Sequence, residues 1–340
     1  MGPADSTSGA TWRRLAGGEI SLEILRRRST ILERTRAFFR RKGFIEVDPP
    51  IAVAYPNIDP NVFPVVLTDA AGRGSKRFLH TSPELSMKKL IAAGSGNIFC
   101  LGKVFRDREG SPLHHPEFTM LEWYRIGEPV EAVMEDVEAL AREMAGEIDG
   151  KEEISRGGAV FPLSGKWARL ELSDLFTDLL GAPMTGNREA LGSALLRKGI
   201  RPGNAETWED LFFRAYVDVI EPALSGMGTV FLTGYPSALA GMARRRKGND
   251  GLCERFEGYI CGVELVNGYE ELTDLSEQEE RLRRLAALHE QQTGSALPVD
   301  PEFLDALRHG LPPCSGAALG FDRLVMLLLG KETIADVTIR

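Results

Sequence analysis

Two extended runs joined by a short polar loop, at residues 98–106 and 118–124, constrain the fold of this chain more than any other feature. The runs are rich in β-branched and aromatic residues, and the loop between them holds Gly, Pro and His. This pattern predicts an antiparallel hairpin. Because alternate side chains of a strand share a face, one face of the second run carries Phe118, Met120, Glu122 and Tyr124. Such a mixed row suits either the floor of a polar pocket or an amphipathic strand with one solvated face.

Helical and extended patterns alternate in clusters along the rest of the chain. Apolar residues recur at three-to-four spacing in 22–42 and 130–148, which predicts amphipathic helices, and Ser82-Pro83-Glu84 has the sequence of a helix start. Short strands are expected at 44–47, 230–233 and 255–265, a turn at Asn267-Gly268, and further helices at 277–291 and near the C-terminal end. We therefore expect an α+β fold, built on an antiparallel sheet flanked by helices.

A single domain is expected from residue 19 to residue 340. Residues 1–18 are small, polar and Gly-rich, which predicts a disordered tail, and residues 150–204 mix short helical patterns with Gly and Pro, which suggests an insertion. The sequence contains no run of about 18 apolar residues and no signal-peptide core, so we expect a cytoplasmic protein without a membrane span. The four cysteines lack C-x-x-C spacing, which favours reduced, packed thiols over a zinc site.

The formal net charge of −8 argues against a protein that wraps a long nucleic acid, because such proteins need a basic face. Two local basic runs interrupt this acidic balance, at Arg26-Arg27-Arg28 and at residues 244–247. Each is interpreted either as a solvated surface segment or as a docking surface for an acidic partner.

Two further segments carry residues suited to phosphate chemistry. Residues 316–324 combine a Gly-containing strand with a helix whose first turn holds Arg323, so the backbone can approach a nucleotide and the guanidinium can clamp a phosphate. Glu264 and Glu271 flank the expected turn, where two carboxylates could hold Mg²⁺ or simply be solvated. With Arg106 at the end of a strand, this set suits attack of a carboxylate on the α-phosphate of ATP. That reaction depends on positioning and charge neutralisation rather than on a nucleophilic side chain.

These segments resemble the three signature motifs of class II aminoacyl-tRNA synthetases. Motif 1 (helix, strand, proline) corresponds to residues 25–50, motif 2 to 105–124 and motif 3 to 316–323. The string His-His-Pro-Glu-Phe-Thr-Met-Leu-Glu-Trp-Tyr at 114–124 is similar to the lysyl branch of subclass IIb, and most similar to the lysyl-tRNA synthetase paralogues that modify elongation factor P. The resemblance extends from about residue 22 to residue 330. It implies a class II catalytic domain, ATP and Mg²⁺ as cofactors, and a homodimer joined through motif 1.

The length before motif 1 distinguishes two branches of this family. Lysyl-tRNA synthetases carry an N-terminal OB-fold domain that binds the anticodon, whereas motif 1 begins near residue 25 here. The resemblance therefore favours the paralogues, ATP-dependent ligases that activate a lysine-type amino acid, (R)-β-lysine in the best-known form. They transfer it to a lysine side chain of elongation factor P, an acidic tRNA mimic for which the two basic runs are candidate docking surfaces. A compact lysyl-tRNA synthetase and a catalytically silent, nucleotide-binding regulatory paralogue are the alternatives; tRNA is not the expected partner.

The residue roles known for the family are assigned here to the matching positions of this chain. Arg106 and Arg323 are the expected catalytic residues, Arg106 at the α-phosphate and the substrate carboxylate and Arg323 at the γ-phosphate end of ATP. The other expected ATP-site residues are Asp107, Arg108, His115, Phe118 (stacked on adenine), Glu264, Leu265 and Gly320. The resemblance implies that Glu264 and Glu271 hold Mg²⁺. The expected amino-acid pocket consists of Ser82, Pro83, Glu84, Tyr124, Glu271 and Ala318.

Some positions depart from the family's pattern. Where the family has Arg-Asn-Glu, this chain has Arg106-Asp107-Arg108, so the carboxylate that meets the adenine amino group is missing. Glu109 could take its place through a shift of the loop. His115 stands in place of the usual Asn. Ala318 stands where lysyl-tRNA synthetases have Gly, and its methyl group is expected to reshape the pocket away from α-lysine, as in the paralogues.

Overall fold

The computed structural model describes residues 11–72, 76–184 and 186–339. Within these ranges the helices are α1 Thr11–Ala16, α2 Leu22–Arg41, α3 Glu84–Ala92, α4 Val130–Asp149, α5 Leu172–Leu175, α6 Arg188–Arg197, α7 Trp208–Ala215, α8 Glu221–Leu224, α9 Leu275–Thr293, α10 Pro301–Gly310 and α11 Phe321–Leu328. The strands are β1 Ile45–Glu46, β2 Ala52–Val53, β3 Val66–Leu67, β4 Arg77–Leu79, β5 Ile98–Phe105, β6 Glu117–Ile126, β7 Glu153–Arg156, β8 Ala159–Pro162, β9 Ala168–Glu171, β10 Thr229–Pro236, β11 Arg245–Arg246, β12 Asn249–Ile260, β13 Val263–Glu270 and β14 Cys314–Gly320. Short π-helical turns follow α5 and α7, at Phe176–Leu180 and Tyr216–Ile220.

In the described chain, nine strands form one main sheet, in the order β1-β5-β6-β14-β13-β12-β10-β9, with β11 paired to β12. Neighbouring strands are antiparallel except at the two edges, where β1 runs parallel to β5 and β9 runs parallel to β10. The hairpin predicted from the sequence is formed by β5 and β6, with Ile98 opposite Tyr124 and Phe105 opposite Glu117. The predicted α+β fold, with a largely antiparallel sheet flanked by helices, is confirmed.

The turn between β12 and β13 lies at Cys261-Gly262, and the prediction of a turn at Asn267-Gly268 is wrong. Cys261 and Gly262 have positive φ angles of 51° and 75°, which suits a two-residue hairpin turn. Asn267 and Gly268 lie inside β13 instead. Glycine is required there because a Cβ atom at Gly268 would come within 2.7 Å of the Cβ atom of Ala317 on the neighbouring strand.

Strand β13 contains one extra residue relative to β12. Two consecutive residues of β12 lie opposite Glu264 and Val266, so Leu265 has no partner and forms a β-bulge. Leu265 and Val266 both pack in the hydrophobic core. The bulge shifts the alternation of side chains by one residue, so Glu264 lies on the same face of the sheet as Tyr269.

One face of the sheet packs on helices α2, α4 and α11 to form the largest core. Its members include Phe39 of α2, Phe99 of β5, Trp123 of β6 and Phe321 of α11. The rings of Phe39 and Phe99 stack with their centroids 5.0 Å apart. The apolar stripes predicted α2 and α4 to within one residue at each end.

The opposite face of the sheet is covered by two separate helical layers. Helices α3 and α10 pack near β5 and β14, and helices α5 to α8 pack on β10 and β12. The second layer extends from Leu172 to Leu224, beyond the insertion expected at 150–204, and β9 joins it to the sheet. Between the two layers, the faces of β6, β14 and β13 remain available for a polar site.

The N-terminal region differs from the disordered tail expected at 1–18, because Thr11–Ala16 forms helix α1. Arg14 fixes this helix to the C-terminal region, pairing with Asp336 at 2.9 Å and donating a hydrogen bond to the carbonyl of Ala335 at 3.1 Å. Residues 1–10 of that expected tail lie outside the described residues.

All four cysteines are buried and unpaired, which confirms the prediction of packed thiols. Across the described ranges, no helix is both long enough and apolar enough to cross a membrane.

Candidate active site

Polar side chains gather on the open face of the sheet between the two helical layers. Across four neighbouring strands, one row consists of Cys100, Glu122, Ala318 and Asn267. The next row consists of Ile98, Tyr124, Gly316 and Tyr269. Directly opposed residues of antiparallel strands share a face, so these side chains line one floor. Leu121 and Trp123 pack in the core behind them, and the prediction that Glu122 and Tyr124 share a polar face is confirmed.

The ring of Tyr124 occupies the space that a side chain at Gly316 would need. A Cβ atom at Gly316 would lie 2.4 Å from Cδ1 and Cε1 of Tyr124. The Tyr124 hydroxyl donates a hydrogen bond of 2.8 Å to Glu122 Oε1. The glycine at the start of the predicted motif 3 segment therefore makes room for a tyrosine that orients a buried carboxylate.

The start of α3 brings a second group of expected pocket residues to Glu122. The Ser82 hydroxyl accepts a hydrogen bond of 3.1 Å from the backbone N–H of Glu84, as expected for a helix start, and donates one of 2.6 Å to Glu122 Oε2. Pro83 is buried immediately before the helix. The structure thus brings together Ser82, Pro83, Glu84 and Tyr124, and Ala318 lies directly opposite Glu122.

A buried lysine that the sequence analysis did not single out joins Glu84 to Glu271. Lys88 is 1% exposed, and its Nζ lies 2.6 Å from Glu84 Oε1 and 2.5 Å from Glu271 Oε2. The Tyr269 hydroxyl also donates to Glu84 Oε1, and Asn57 Nδ2 donates to Glu84 Oε2 at 3.0 Å. The only sequence signal was the i,i+4 spacing of Glu84 and Lys88, which is common on solvated helices.

Burial raises the pKa of two carboxyl groups in this cluster. The pKa of Glu122 rises to about 7 because of burial and the nearby charge of Glu84. Burial likewise raises the pKa of Glu271 to about 8, although Lys88 opposes the rise. For Glu84, burial is outweighed by Lys88 and by three hydrogen bonds, and its pKa is lowered. Near neutral pH the ligand-free pocket therefore retains protons that an incoming cation would displace.

Arg323 lies at the other end of this face, at the first turn of α11. Its Nη1 donates to the carbonyl oxygen of Glu264 at 2.7 Å and to the Glu264 carboxylate at 3.2 Å. Its Nη2 lies 2.6 Å from His114 Nε2, and its Nε donates to the carbonyl of Leu113 at 3.2 Å. Burial alone would raise the pKa of Glu264, but the charges of Arg323, Arg106 and Arg255 outweigh burial and lower that pKa. The structure thus fixes the guanidinium through the motif 2 loop and β13 together.

The histidine that contacts Arg323 is His114, which the sequence analysis did not select. The expected ATP-site residue His115 instead turns toward its own loop, where its Nδ1 lies 2.8 Å from the carbonyl oxygen of Glu117. Gly320 precedes α11, and a Cβ atom there would make only an ordinary contact of 3.4 Å with Arg323 Cδ. The ATP contacts expected of His115 and Gly320 stay predictions.

Arg106 lies close to the same group of charges as Arg323. Burial lowers the pKa of Arg106, while the carboxylates of Glu109 and Glu264 oppose that change. Its guanidinium carbon lies 5.2 Å from the centre of the Phe118 ring, within the range of a cation–π contact. The structure therefore places the two expected catalytic arginines, Glu264 and the expected adenine-stacking ring at one end of the face.

The unusual pair Asp107-Arg108 contacts Phe63. The Asp107 N–H donates to the carbonyl of Phe63 at 2.7 Å, and the Arg108 guanidinium carbon lies 4.2 Å from the centre of the Phe63 ring. Arg108 has a φ of 64°, a left-handed conformation that non-glycine residues rarely adopt. The next residue, Glu109, lies 3.9 Å from His114 Nε2. In this loop, Glu109 is thus the carboxylate that faces the arginine pair.

Glu264 and Glu271 do not form the metal pair that was expected. They lie seven positions apart on one extended segment, a separation of about 20 Å, because the bulged Leu265 adds no length and each other residue adds roughly 3.3 Å. Each is engaged elsewhere, Glu264 with Arg323 and Glu271 with Lys88. The described residues contain no group of three or more His, Cys, Asp or Glu side chains that could hold a metal ion. Leu265 packs in the core with 1% exposure, so its side chain does not line the nucleotide site.

Both basic runs are largely neutralised within the chain. In the first run, Arg28 Nη2 lies 2.6 Å from the buried Asp322 carboxylate. In the second run, the ion pairs are Arg244–Glu270 at 2.7 Å, Arg245–Glu277 at 2.7 Å and Arg246–Glu171 at 3.2 Å. This pairing favours ion-paired surface segments over docking surfaces for an acidic partner.

A comparison with known protein families agrees with this fold and with a site that has an acidic end and a basic end. The family described as tRNA synthetases class II (D, K and N) matches residues 13–339. The chain therefore belongs to the class II aminoacyl-tRNA synthetases of the aspartyl, lysyl and asparaginyl group.

Several relatives within this class are named as ligases of elongation factor P. The elongation factor P–(R)-β-lysine ligase of Yersinia enterocolitica is 36% identical over 319 residues, which cover 92% of this chain and 93% of that protein. The ligase of the same name from Vibrio cholerae is 33% identical over 325 residues, 94% of this chain and 95% of that protein. A homolog of this ligase from Aquifex aeolicus is 35% identical over 306 residues, 90% of this chain and 95% of that protein.

Proposed function

We propose that this chain is an ATP-dependent ligase that activates a lysine-type amino acid as its adenylate and transfers it to a lysine side chain of elongation factor P. The main support for the proposal is that the open face of the sheet has acidic side chains at one end and arginines at the other. Glu84, Glu122 and Glu271 form a buried acidic end, and Arg106 and Arg323 form a cationic end. An ammonium-bearing amino acid and a triphosphate fit these two ends, and the names of the relatives include such an amino acid, (R)-β-lysine.

The first step joins the amino acid to the nucleotide. A carboxylate oxygen of the amino acid attacks the α-phosphorus of ATP, a P–O bond forms, and the bond to the β-phosphate breaks with release of pyrophosphate. In the proposal, Arg106 holds the attacking carboxylate and the α-phosphate, and Arg323 neutralises charge at the γ-phosphate. Phe118 stacks on the adenine, and Glu109 is the carboxylate available to its amino group. Such catalysis requires positioned charges and no nucleophilic side chain.

Mg²⁺ is proposed to accompany ATP, with Glu264 as its protein ligand. Mg²⁺ usually takes one or two carboxylates together with phosphate oxygens and water, rather than a complete protein cage. The carboxylate chemistry fits, because Glu264 lies opposite Tyr259 of β12, and Glu257, two residues away on the same strand, adds a second carboxyl group to the same face. When bound, the ion would neutralise phosphate charge. Glu264 would then exchange part of its contact with Arg323 for the metal.

The second step transfers the aminoacyl group to an amine. The uncharged ε-amine of the acceptor lysine attacks the carbonyl carbon of the adenylate, an amide bond forms, and AMP leaves with the bonding electron pair of the acyl C–O bond. The amine also loses a proton, which solvent can accept. Elongation factor P is proposed as the acceptor because the named relatives act on it, and the working form is proposed to be a homodimer, as the motif 1 resemblance implies.

Two measurements test this function. Pyrophosphate exchange into ATP should depend on added lysine or (R)-β-lysine, and absence of exchange with both would reject the adenylation step. Incubation of the protein with ATP, either amino acid and elongation factor P should then add one aminoacyl group to a single lysine of the factor, detected by peptide mass spectrometry. Aminoacylation of tRNA without modification of the factor would instead identify a compact lysyl-tRNA synthetase. ATP binding without exchange would identify a silent paralogue.

A further inference from the structure

The adenylation chemistry described above leaves one buried charge unexplained. Lys88 lies on α3 with 1% exposure, and its Nζ contacts Glu84 and Glu271 at 2.6 Å and 2.5 Å. The Sδ atom of Met242 lies 3.4 Å from the same nitrogen, and the centre of the Tyr269 ring lies 5.2 Å from it. A lysine enclosed in this way has no contact with bulk water, so its environment decides its charge.

The neighbours of Lys88 keep it positively charged. Burial alone would lower the pKa of a lysine, but the carboxylates of Glu271 and Glu84 outweigh burial and raise the pKa of Lys88 above its ordinary value. In the described parts of the chain, no other lysine or arginine forms an ion pair with Glu84 or Glu271. Lys88 is therefore the internal counter-ion of the acidic pocket.

The charge balance of the pocket matches a particular kind of ligand. Three carboxyl groups, Glu84, Glu122 and Glu271, influence one another's ionisation, and a single ammonium group, that of Lys88, opposes them. Full ionisation of the three acids would leave two negative charges unbalanced. A diamino acid carries two ammonium groups at neutral pH, while its carboxylate can be held by Arg106 outside the pocket.

We propose that Lys88 is a positioning residue, an internal ammonium group that fixes the carboxyl groups of Glu84 and Glu271 and favours their ionised forms, so that both can receive the ammonium groups of a diamino acid. This inference rests on the proposed function. The effect of Lys88 on binding then depends on its charge, which distinguishes it from a buried residue that only fills space. A buried carboxylate that loses its cation takes up a proton, and the neutral acid then binds an ammonium group poorly.

Other polar groups that face this cluster come from several elements. Ser82 and Tyr124 hydrogen-bond to Glu122, and Tyr269 hydrogen-bonds to Glu84. The Cys314 thiol of β14 lies near Glu271 and Lys88, but burial raises its pKa so far that it stays neutral. Burial also keeps the phenols of Tyr124 and Tyr269 neutral, since their pKa values lie well above the ordinary value. The charge of the pocket is thus set by three carboxyl groups and Lys88.

The decisive variant is Lys88→Met, which keeps an unbranched side chain and removes the charge. At neutral pH we expect the Kd of lysine or (R)-β-lysine, measured by titration calorimetry, to rise about tenfold or more, because charge-assisted contacts are lost. The KM of ATP in the exchange reaction should change by less than about twofold, since Lys88 lies at the other end of the face. The matched control is Lys89→Met on the same helix, whose lysine pairs with Asp300 at 2.8 Å and should leave both constants unchanged.

Chemical rescue separates charge from shape. Lys88→Ala leaves a space that a small alkylammonium ion can fill, so ethylammonium should restore much of the amino-acid affinity, whereas ethanol, which is uncharged and similar in size, should not. Equal rescue by both additives, or an unchanged amino-acid Kd in Lys88→Met, would overturn the proposal. Should Lys88→Met fail to fold, Lys88→Gln keeps hydrogen-bond donors without charge, and a wild-type Kd in that variant would overturn it as well.

Direct binding also separates this inference from the function on which it rests. If the wild-type protein binds no diamino acid, the proposed substrate is wrong, and the proposed role of Lys88 is rejected together with it. If wild-type protein binds and activates the amino acid while all Lys88 variants bind it equally well, only the role assigned to Lys88 is rejected.

Discussion

Arg323 and His114 meet through a hydrogen bond of 2.6 Å between Nη2 and Nε2. Because a guanidinium has only donors, Nε2 must be the acceptor, so His114 is neutral and carries its proton on Nδ1, which lies 2.8 Å from the Ser111 hydroxyl. Burial and the charge of Arg323 lower the pKa of His114, which favours the same neutral form. The orientation of the arginine at the expected phosphate end therefore depends on an uncharged histidine.

The first prediction concerns this histidine. His114→Ala removes an acceptor of Arg323, and we expect the KM of ATP to rise about threefold to tenfold, while the KM of the amino acid stays unchanged. Steady-state exchange assays at varied ATP measure the change. Protonation of His114 would also remove the acceptor, so the wild-type KM of ATP should rise as the pH falls well below 6.5. His114→Gln retains an acceptor but does not titrate, so its KM of ATP should not rise at low pH. An equal rise in that variant would contradict the role given to His114.

The second prediction tests the fork geometry of Arg323. Arg323→Lys keeps the charge but cannot donate to Glu264 and His114 together while facing a phosphate. We expect the kcat of pyrophosphate exchange to fall by about 100-fold or more. The control is Arg283→Lys on α9, where the arginine is exposed and pairs with Glu279. A fall of less than about threefold in Arg323→Lys would show that a point charge is sufficient there.

The third prediction is a pH dependence of amino-acid binding. Protonated Glu122 and Glu271 cannot pair with ammonium groups, and their pKa values are about 7 and about 8. The affinity for lysine or (R)-β-lysine should therefore increase as the pH rises from about 6 to about 8.5, with proton release detectable in calorimetry with buffers of different ionisation enthalpy. Glu271→Gln should bind more weakly and lose the upper part of this dependence. Affinity that is flat across this range would count against the ionisation of these carboxylates on binding.

The raised pKa values of Glu122 and Glu271 have the opposite effect on the stability of the ligand-free protein, which decreases as the pH rises. Both folded-state pKa values lie above the ordinary value of 4.5, so the folded protein retains protons that the unfolded chain has released. This contribution to stability is complete below pH 4.5 and is lost as the pH rises through about 7 and 8. The increase in Tm caused by the amino acid should accordingly be larger at the alkaline end.

The fourth prediction concerns the contact between Gly316 and Tyr124. Gly316→Ala places a methyl group 2.4 Å from the tyrosine ring, so the ring must move and Glu122 loses its phenol donor. We expect the free energy of unfolding to fall by about 1–3 kcal/mol and the KM of the amino acid to rise. Gly102→Ala on β5 is the control, because its Cβ atom would meet only Cys100 Sγ at 3.6 Å. Denaturant unfolding and exchange kinetics together measure both effects, and a Gly316→Ala protein that matches this control would contradict the argument.

The sequence predicted the site best where local pattern decides structure. The hairpin of β5 and β6 and the helices α2 and α4 follow from periodicity, and the shared face of Glu122 and Tyr124 follows from strand alternation alone. The resemblance to a known family then named most of the residues that the structure gathers on the open face.

The errors arose where contacts distant in sequence decide structure. Gly268 looked like the second residue of a turn, but its lack of a side chain serves the close approach of Ala317. The real turn at Cys261-Gly262 lacks the usual Asn-Gly or Asp-Gly signal. Lys88 was missed because its significance depends on Glu271, which lies far away in sequence and adjacent in space.

The bulge at Leu265 also allows one strand to serve both ends of the site. Glu264 belongs to the phosphate end and Glu271 to the amino-acid end, and a single continuous backbone segment connects them. Residues seven positions apart face opposite sides of a regular strand, so without the bulge one of the two carboxylates would turn into the apolar core. The extra residue in β13 is thus what allows a single backbone segment to supply a carboxyl group to each of the two substrates.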